Sequence, residues 1–201
     1  TGLRVGPSGA QGLLGVEPDV TVLAKALAAG FPVAAVGGSR RVMDLVAEGR
    51  TMHGGTYNSS PLACAAVIAA MAETGRPGFY EELDARGERM ADGLVSIVRE
   101  AGLPACWSGT GGLFQLWFAE RPPREYRSAQ AIVATSPFPV LQAELLERRV
   151  IVQPPQEGLF LPSGAHTDAD VERTLEATAQ AMPAVVEAVE SGRVGPRGGV
   201  R

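Results

Sequence analysis

A single lysine, Lys25, stands in a chain whose other strongly basic side chains are all arginine. It follows Val20-Thr21-Val22-Leu23-Ala24, an apolar, β-branched run that reads as a buried strand, and it precedes small residues. A charged amine at the end of an apolar strand is costly unless it has a partner or a task. Desolvation favours the neutral amine, which is the nucleophile toward an aldehyde, and arginine cannot replace lysine in imine chemistry. The bland alternative is a lysine whose stem lies along the sheet edge while its amine reaches water. A coding bias toward arginine would account for the missing lysines, but not for the position of the survivor.

The second candidate is the loop His53-Gly54-Gly55-Thr56-Tyr57-Asn58-Ser59-Ser60. Its glycines expose backbone N–H groups, its Thr and Ser side chains offer hydroxyls, and Pro61 sits where a helix begins. Amides and hydroxyls beside a helix N-terminus suit a phosphate; a polar turn with a helix cap is the alternative. His53 reads either as a ligand or base, or as a solvated loop histidine. Gly109-Thr110-Gly111-Gly112 lacks the Lys-Ser/Thr ending of a P-loop and reads as a tight turn before a strand. His166 reads as part of the entry to the last helix, Cys64 as a core residue, and Trp107 and Trp117 as packing residues. No Ser/His/Asp set or metal-ligand spacing stands out.

These groups need elements to hold them. The 201 residues suffice for one or two small domains, and 45% hydrophobic with 20% charged residues supports a core. A net charge of -4 gives no broad electrostatic case for nucleic acid or an anionic membrane. Two cysteines form no framework, which fits a reducing, cytoplasmic setting. The longest apolar run, Pro61 to Ala72, is too short to span a bilayer and reads as a buried helix.

Along the chain, residues 8–14 read as a short helix and Val33 to Val36 as a second buried strand. Ser39 caps a helix through about Ala47, and Pro61 opens one through about Glu73. A long amphipathic helix runs from about Phe79 to Glu100, with Leu83, Met90, Leu94, Ile97 and Val98 on one side. The second half reads as α+β: strands at Ala105 to Trp107, Leu113 to Phe118 and Val150 to Gln153, and a helix from Pro139 to Arg148. Thr167-Asp168-Ala169-Asp170 has the form of a capping box, with a helix on to about Glu190, bent near Pro183. Residues 191–201 read as a loose tail.

Taken together these segments resemble the class III aminotransferase family. Pro18 to Gly38, with Lys25 near its centre, resembles the family's cofactor-lysine segment. Thr1-Gly2-Leu3-Arg4-Val5-Gly6 resembles the stretch shortly after the family's pyridine-binding Asp. His53-Gly54-Gly55-Thr56-Tyr57-Asn58 resembles the loop whose Thr binds the cofactor phosphate across a dimer interface. Phe160-Leu161 with Ala165-His166-Thr167-Asp168-Ala169-Asp170-Val171 is similar to the C-terminal signature of the glutamate-1-semialdehyde 2,1-aminomutases within that family.

The resemblance implies an α/β chain of fold type I. Residues 1–100 are then the rest of a large domain with a mainly parallel sheet, and residues 101–190 a small C-terminal α/β domain. It implies pyridoxal 5'-phosphate as cofactor, held covalently by Lys25, which then carries a proton between substrate and cofactor. It implies Thr56 and Gly55 as phosphate-binding residues in a homodimer with a shared active site, and Glu157 as an acid facing the pocket. The substrate is a small amino or keto compound, with no nucleic acid or membrane partner and no metal. An aminomutase-like amino-group transfer is the first reading. A transaminase between an amine and a keto acid is the second. A non-catalytic remnant that pairs with a full-length partner is the third. The chain opens inside a Gly-rich stretch and reads as cut from something longer, with the family's pyridine Asp expected upstream. Alone it is expected to be inactive and prone to aggregate.

Overall fold

The β-branched run Val20-Thr21-Val22-Leu23 does form a strand, β1 (Val20–Leu23), in a computed structural model that describes residues 2–153 and 158–194. Glu157 and the tail from residue 195 lie outside the described residues. The chain divides into two compact units between Glu81 and Glu82.

In the first unit β2 (Ala35–Gly38) pairs antiparallel with β1, placing Val20 opposite Gly38 and Leu23 opposite Ala35. Short 3-10 turns at Gly2–Val5 and Lys25–Ala28 flank the ladder. Helix α1 (Gly9–Leu14) ends on Gly15, whose φ of 65° is the left-handed conformation that glycine adopts without a Cβ clash. Helices α2 (Arg40–Ala47) and α3 (Pro61–Thr74) follow, the latter opened by Pro61, whose missing N–H has no partner to lose in the first turn.

Burial in this unit departs from the expectation. β1 alternates between exposed and half-buried residues, β2 is exposed throughout, and α3 contains no buried residue. Cys64, expected in the core, is exposed. Val22 is 68% exposed and Ile68 69%. The buried hydrophobic residues of this unit are Leu3, Leu27 and Ala28. A strand buried on both faces, or a helix apolar on all sides, needs a further layer against it, and the described residues cover β1 and α3 only in part.

The second unit has a core. Met90, Ala91, Leu94, Val95 and Val98 recur at three- and four-residue spacing along α4 (Phe79–Glu100) and present one apolar stripe. β3 (Cys106–Thr110) and β4 (Leu113–Trp117) form a hairpin closed by Gly111 and Gly112, as a two-residue glycine turn favours. β5 (Leu159–Phe160) joins the other edge of β4, and Phe114 stacks on Phe160 with ring centroids 5.1 Å apart. Helices α5 (Tyr126–Thr135), α6 (Phe138–Glu147) and α7 (Asp168–Glu190) complete the unit. Phe138, Leu141 and Leu145 of α6 and Val171, Ala181 and Val185 of α7 pack into the same cluster.

Two expectations are corrected, and one helix is added. The mainly parallel sheet is not found among the described residues: all three ladders are antiparallel. In the first unit, where it was expected, the one ladder among the described residues is β1 with β2, whose register runs Val20 opposite Gly38 to Leu23 opposite Ala35. Val150 to Gln153 is not a strand, because the carbonyls of Val152 and Gln153 are taken by the Gln142 side-chain amide at 3.2 and 2.7 Å. Helix α5 escaped the sequence reading because its cap is a glutamate: Glu125 accepts from the backbone N–H groups of Arg127 and Ser128. Those bonds hold its carboxyl below the usual range.

The capping box of α7 is formed. Thr167 Oγ1 accepts from the Asp170 N–H at 3.3 Å, and Asp170 accepts from the Thr167 N–H at 2.7 Å. Thr167→Ala is expected to cost about 1 kcal/mol, read as a lower midpoint in thermal circular dichroism. The bonds from Thr167 also hold the Asp170 carboxyl below the usual aspartate range. A carboxyl with a lowered folded pKa stabilises the fold above its unfolded pKa and loses that contribution as pH falls through the folded one. The wild type therefore loses stability on acidification below the ordinary aspartate range, and Asp170→Asn flattens that part of the profile.

Candidate active site

β1 delivers the chain to Lys25 through Ala24, which is fully extended. The backbone then turns sharply: Lys25 has φ 53° and Ala29 φ 48°, both left-handed. A non-glycine residue there is strained by about 1–2 kcal/mol. The turn is held by Leu27 N–H donating to the Ala24 carbonyl at 3.1 Å and by the burial of Leu27 and Ala28 beneath it. Its neighbours in the first unit are the Gly2–Val5 turn and α3. Lys25 itself is exposed, so the desolvation expected from sequence is absent. No carboxylate among the described residues pairs with it.

The loop before α3 makes two tight turns, with the Asn58 N–H donating to the Gly55 carbonyl at 3.0 Å and the Ser60 N–H to the Tyr57 carbonyl at 3.2 Å. Ser59 is another left-handed non-glycine residue, at φ 56°. A Cβ on Gly55 would lie 2.9 Å from Asn58 Oδ1, so a larger residue there would displace the Asn58 side chain. His53, Gly55 and Thr56 are all exposed. The amides of Gly54, Gly55 and Thr56 donate no hydrogen bond among the described residues.

The structure brings these pieces together only in part. α3, which begins just after the loop, packs on the Lys25–Ala28 turn, but no hydrogen bond joins Lys25 to Thr56 among the described residues. A concavity of about 670 Å³ in this unit is lined by Leu3, Gln11, Thr21, Leu23, Gly38 and Ser39, and neither Lys25 nor Thr56 lines it. His166 belongs to the approach to α7, with Nδ1 accepting from the Ser163 N–H at 3.1 Å. Trp117 is buried and its indole donates to Ser108 Oγ, while Trp107 is half-buried and donates to Asp92. Tyr80, which sequence reasoning missed, donates its hydroxyl to the Leu3 carbonyl at 2.7 Å. Nothing in the sequence signals a bond between residues so far apart along the chain.

The donor set suits a phosphorylated aldehyde. One unpaired primary amine is available for a carbon–nitrogen bond, and a hydroxyl with free amides is available for a dianion. Among the described residues no cluster of His, Cys, Asp or Glu has the makings of a metal site, and no helix is long and apolar enough to cross a membrane.

Comparison with known proteins supports the same chemistry. Residues 1–155 match the family described as Aminotransferase class-III. Glutamate-1-semialdehyde 2,1-aminomutase 2 of Brevibacillus brevis is 40% identical over 184 residues, 90% of this chain and 42% of the relative. The glutamate-1-semialdehyde 2,1-aminomutase of Desulfosudis oleivorans is 39% identical over 178 residues, 88% of this chain and 42% of that protein. Among solved structures, an omega-transaminase from Sphaerobacter thermophilus superposes with a TM-score of 0.81 at 32% identity, over 91% of this chain and 42% of the other. A transaminase with PLP bound superposes with a TM-score of 0.78 at 29% identity, over 95% and 43%. The chain thus spans less than half the length of the relatives it matches.

Proposed function

The chain belongs to the class-III aminotransferase family, and from that premise we propose that it carries the cofactor lysine of an enzyme that moves an amino group, most similar in kind to a glutamate-1-semialdehyde 2,1-aminomutase. Its cofactor is pyridoxal 5'-phosphate. The observation that carries this reading is Lys25, the sole lysine, set in a strained left-handed turn at a strand end with no carboxylate partner. When bound, the cofactor supplies an electron sink for the carbon that loses its proton.

The roles of the chain's own residues follow. Lys25 Nζ, at the end of β1, would hold the cofactor through its aldehyde carbon, the carbonyl oxygen leaving as water. With the cofactor in place, Lys25 Nζ as a free amine would carry a proton between the substrate carbon and a neighbouring position. The Thr56 hydroxyl and the amides of Gly55 and its neighbours bind phosphate, and in a homodimer they serve the cofactor of the other copy. Glu157, outside the described residues, is kept as a candidate acid of the pocket.

The test is to incubate the purified chain with pyridoxal 5'-phosphate, reduce with borohydride, and map the adduct by peptide mass spectrometry. The expected product is a phosphopyridoxyl group on Lys25, with the α-amino group at Thr1 as the internal control. A chain that circular dichroism shows to be folded, yet labelled only at Thr1, refutes the reading. Because Lys25 is exposed and no wall of the described residues encloses it, the isolated chain is expected to show no turnover. Robust turnover would contradict that. The TM-score of 0.81 to an omega-transaminase supports the second reading, amino transfer between an amine and a keto acid. Adding the chain to a complete homologue tests the third: a non-catalytic partner co-purifies and adds no activity.

A further inference from the structure

We propose that Tyr80 is a positioning residue for Lys25: by donating to the Leu3 carbonyl, its hydroxyl clamps the Gly2–Val5 turn against the Lys25–Ala28 turn and so holds the lysine in its left-handed conformation. The consequence for cofactor binding rests on Lys25 being the cofactor lysine, as argued above.

The geometry has three parts. First, the Lys25 turn has little holding it of its own. It is a single 3-10 turn with one ordinary and one long backbone bond, Leu27 N–H to the Ala24 carbonyl at 3.1 Å and Ala29 N–H to the Ala26 carbonyl at 3.4 Å, and its first residue is strained. A strained conformation persists only where its surroundings hold it. Second, one of those surroundings is the Gly2–Val5 turn. A Cβ on Gly2 would lie 3.8 Å from the carbonyl oxygen of Ala24, the residue before Lys25, and Leu3 is buried together with Leu27 and Ala28. Third, the Gly2–Val5 turn is itself fastened by Tyr80, at 2.7 Å, from the first turn of α4. The phenol is half-buried, and burial pushes its pKa up while the Thr74 hydroxyl at the end of α3 works against that shift. α3 packs on the Lys25 turn as well. Tyr80 therefore sits where both neighbours of the lysine turn can be held from one side chain. Nothing requires the phenol to touch the cofactor, so its role is to position.

The experiment compares wild type, Tyr80→Phe and Thr167→Ala. The phenylalanine keeps the ring and removes the hydroxyl, with its bond to Leu3 and its interaction with Thr74. Thr167→Ala removes a bond of similar strength in the second unit and controls for general loss of stability. Each purified chain is titrated with pyridoxal 5'-phosphate, trapped with borohydride, and the Lys25 adduct quantified. Backbone hydrogen exchange at Leu27 and Ala29 is followed in parallel without cofactor. In Tyr80→Phe the half-saturating cofactor concentration is expected to rise about fivefold, and exchange at the two amides to quicken by a similar factor, as loss of one neutral hydrogen bond implies. Thr167→Ala should change neither. Superimposable titrations for wild type and Tyr80→Phe overturn the proposal. Unchanged exchange at Leu27 and Ala29 overturns it too, whatever the labelling shows. A wild type that is folded but never labelled at Lys25 instead defeats the cofactor reading, and the exchange data then judge the clamp alone.

Discussion

Lys25→Arg is expected to lose the borohydride-trapped adduct completely, with labelling of that peptide falling to background while the charge is kept. The guanidinium stays protonated and cannot form the carbon–nitrogen bond, so loss of charge is not what the variant tests. Lys25→Gly should lose the adduct equally, but with a different effect on stability. Its backbone stands at φ 53°, where glycine relieves about 1–2 kcal/mol of strain. Glycine's extra chain entropy costs about 0.5–1 kcal/mol. The net change is near zero or mildly stabilising. Lys25→Ala keeps the strain and gains no such relief. Adduct mapping and thermal unfolding on the three variants therefore separate chemistry from fold. Retention of the adduct in any of them would mean that another amine, which can only be Thr1, does the binding.

The second large effect is Gly87→Ala, which should destabilise the second unit by about 3 kcal/mol. In an open helix the same change stabilises by about 0.5–1 kcal/mol, so the expected sign is reversed. Gly87 lies in α4 where the helix meets the β3–β4 turn, and a Cβ there would run into the backbone of Gly111. The converse holds: a Cβ on Gly111 would run into the backbone of Asp84. The contact is reinforced by the Gly112 N–H donating to Asp84 Oδ1 at 3.0 Å. Backbone cannot rotate aside as a side chain can, so helix and hairpin must separate. Both tryptophans of the chain, Trp107 and Trp117, lie in this hairpin, so urea denaturation followed by their fluorescence reports on this unit. A midpoint at or above that of the wild type would show that the close approach is not maintained.

Much of the second unit was legible in advance. The stripe from Leu83 to Val98 set the length and the buried face of α4, because a period of 3.6 residues marks one side of a helix. The Thr167–Asp170 box marked the start of α7, and Gly109 to Gly112 marked a tight turn before β4, of which Gly111 and Gly112 form the turn while Gly109 and Thr110 belong to β3. Caps and tight turns depend on neighbours in sequence. Glu125 was missed as a cap since glutamate is seldom one, and β5 was missed since two residues carry no period.

In the first unit the element positions were legible but their surroundings were not. Apolar runs at Val20 to Leu23 and Pro61 to Ala72 announce a strand and a helix, and both are present. The same runs say that these residues belong against something apolar. They do not say what, and within the described residues little covers them. Hydrophobicity is a property of the residue, whereas burial belongs to a pair of surfaces.

The candidate site divides in the same way. Residue type alone singles out the candidate for amine chemistry: a chain with one lysine has one side chain able to take an aldehyde. The left-handed turn that presents this lysine, the glycine contact between α4 and the hairpin, and the bond from Tyr80 to Leu3 were decided only when distant segments met. No local preference predicts them, because each conformation is unfavourable or unremarkable by itself and is held by contacts made across the fold.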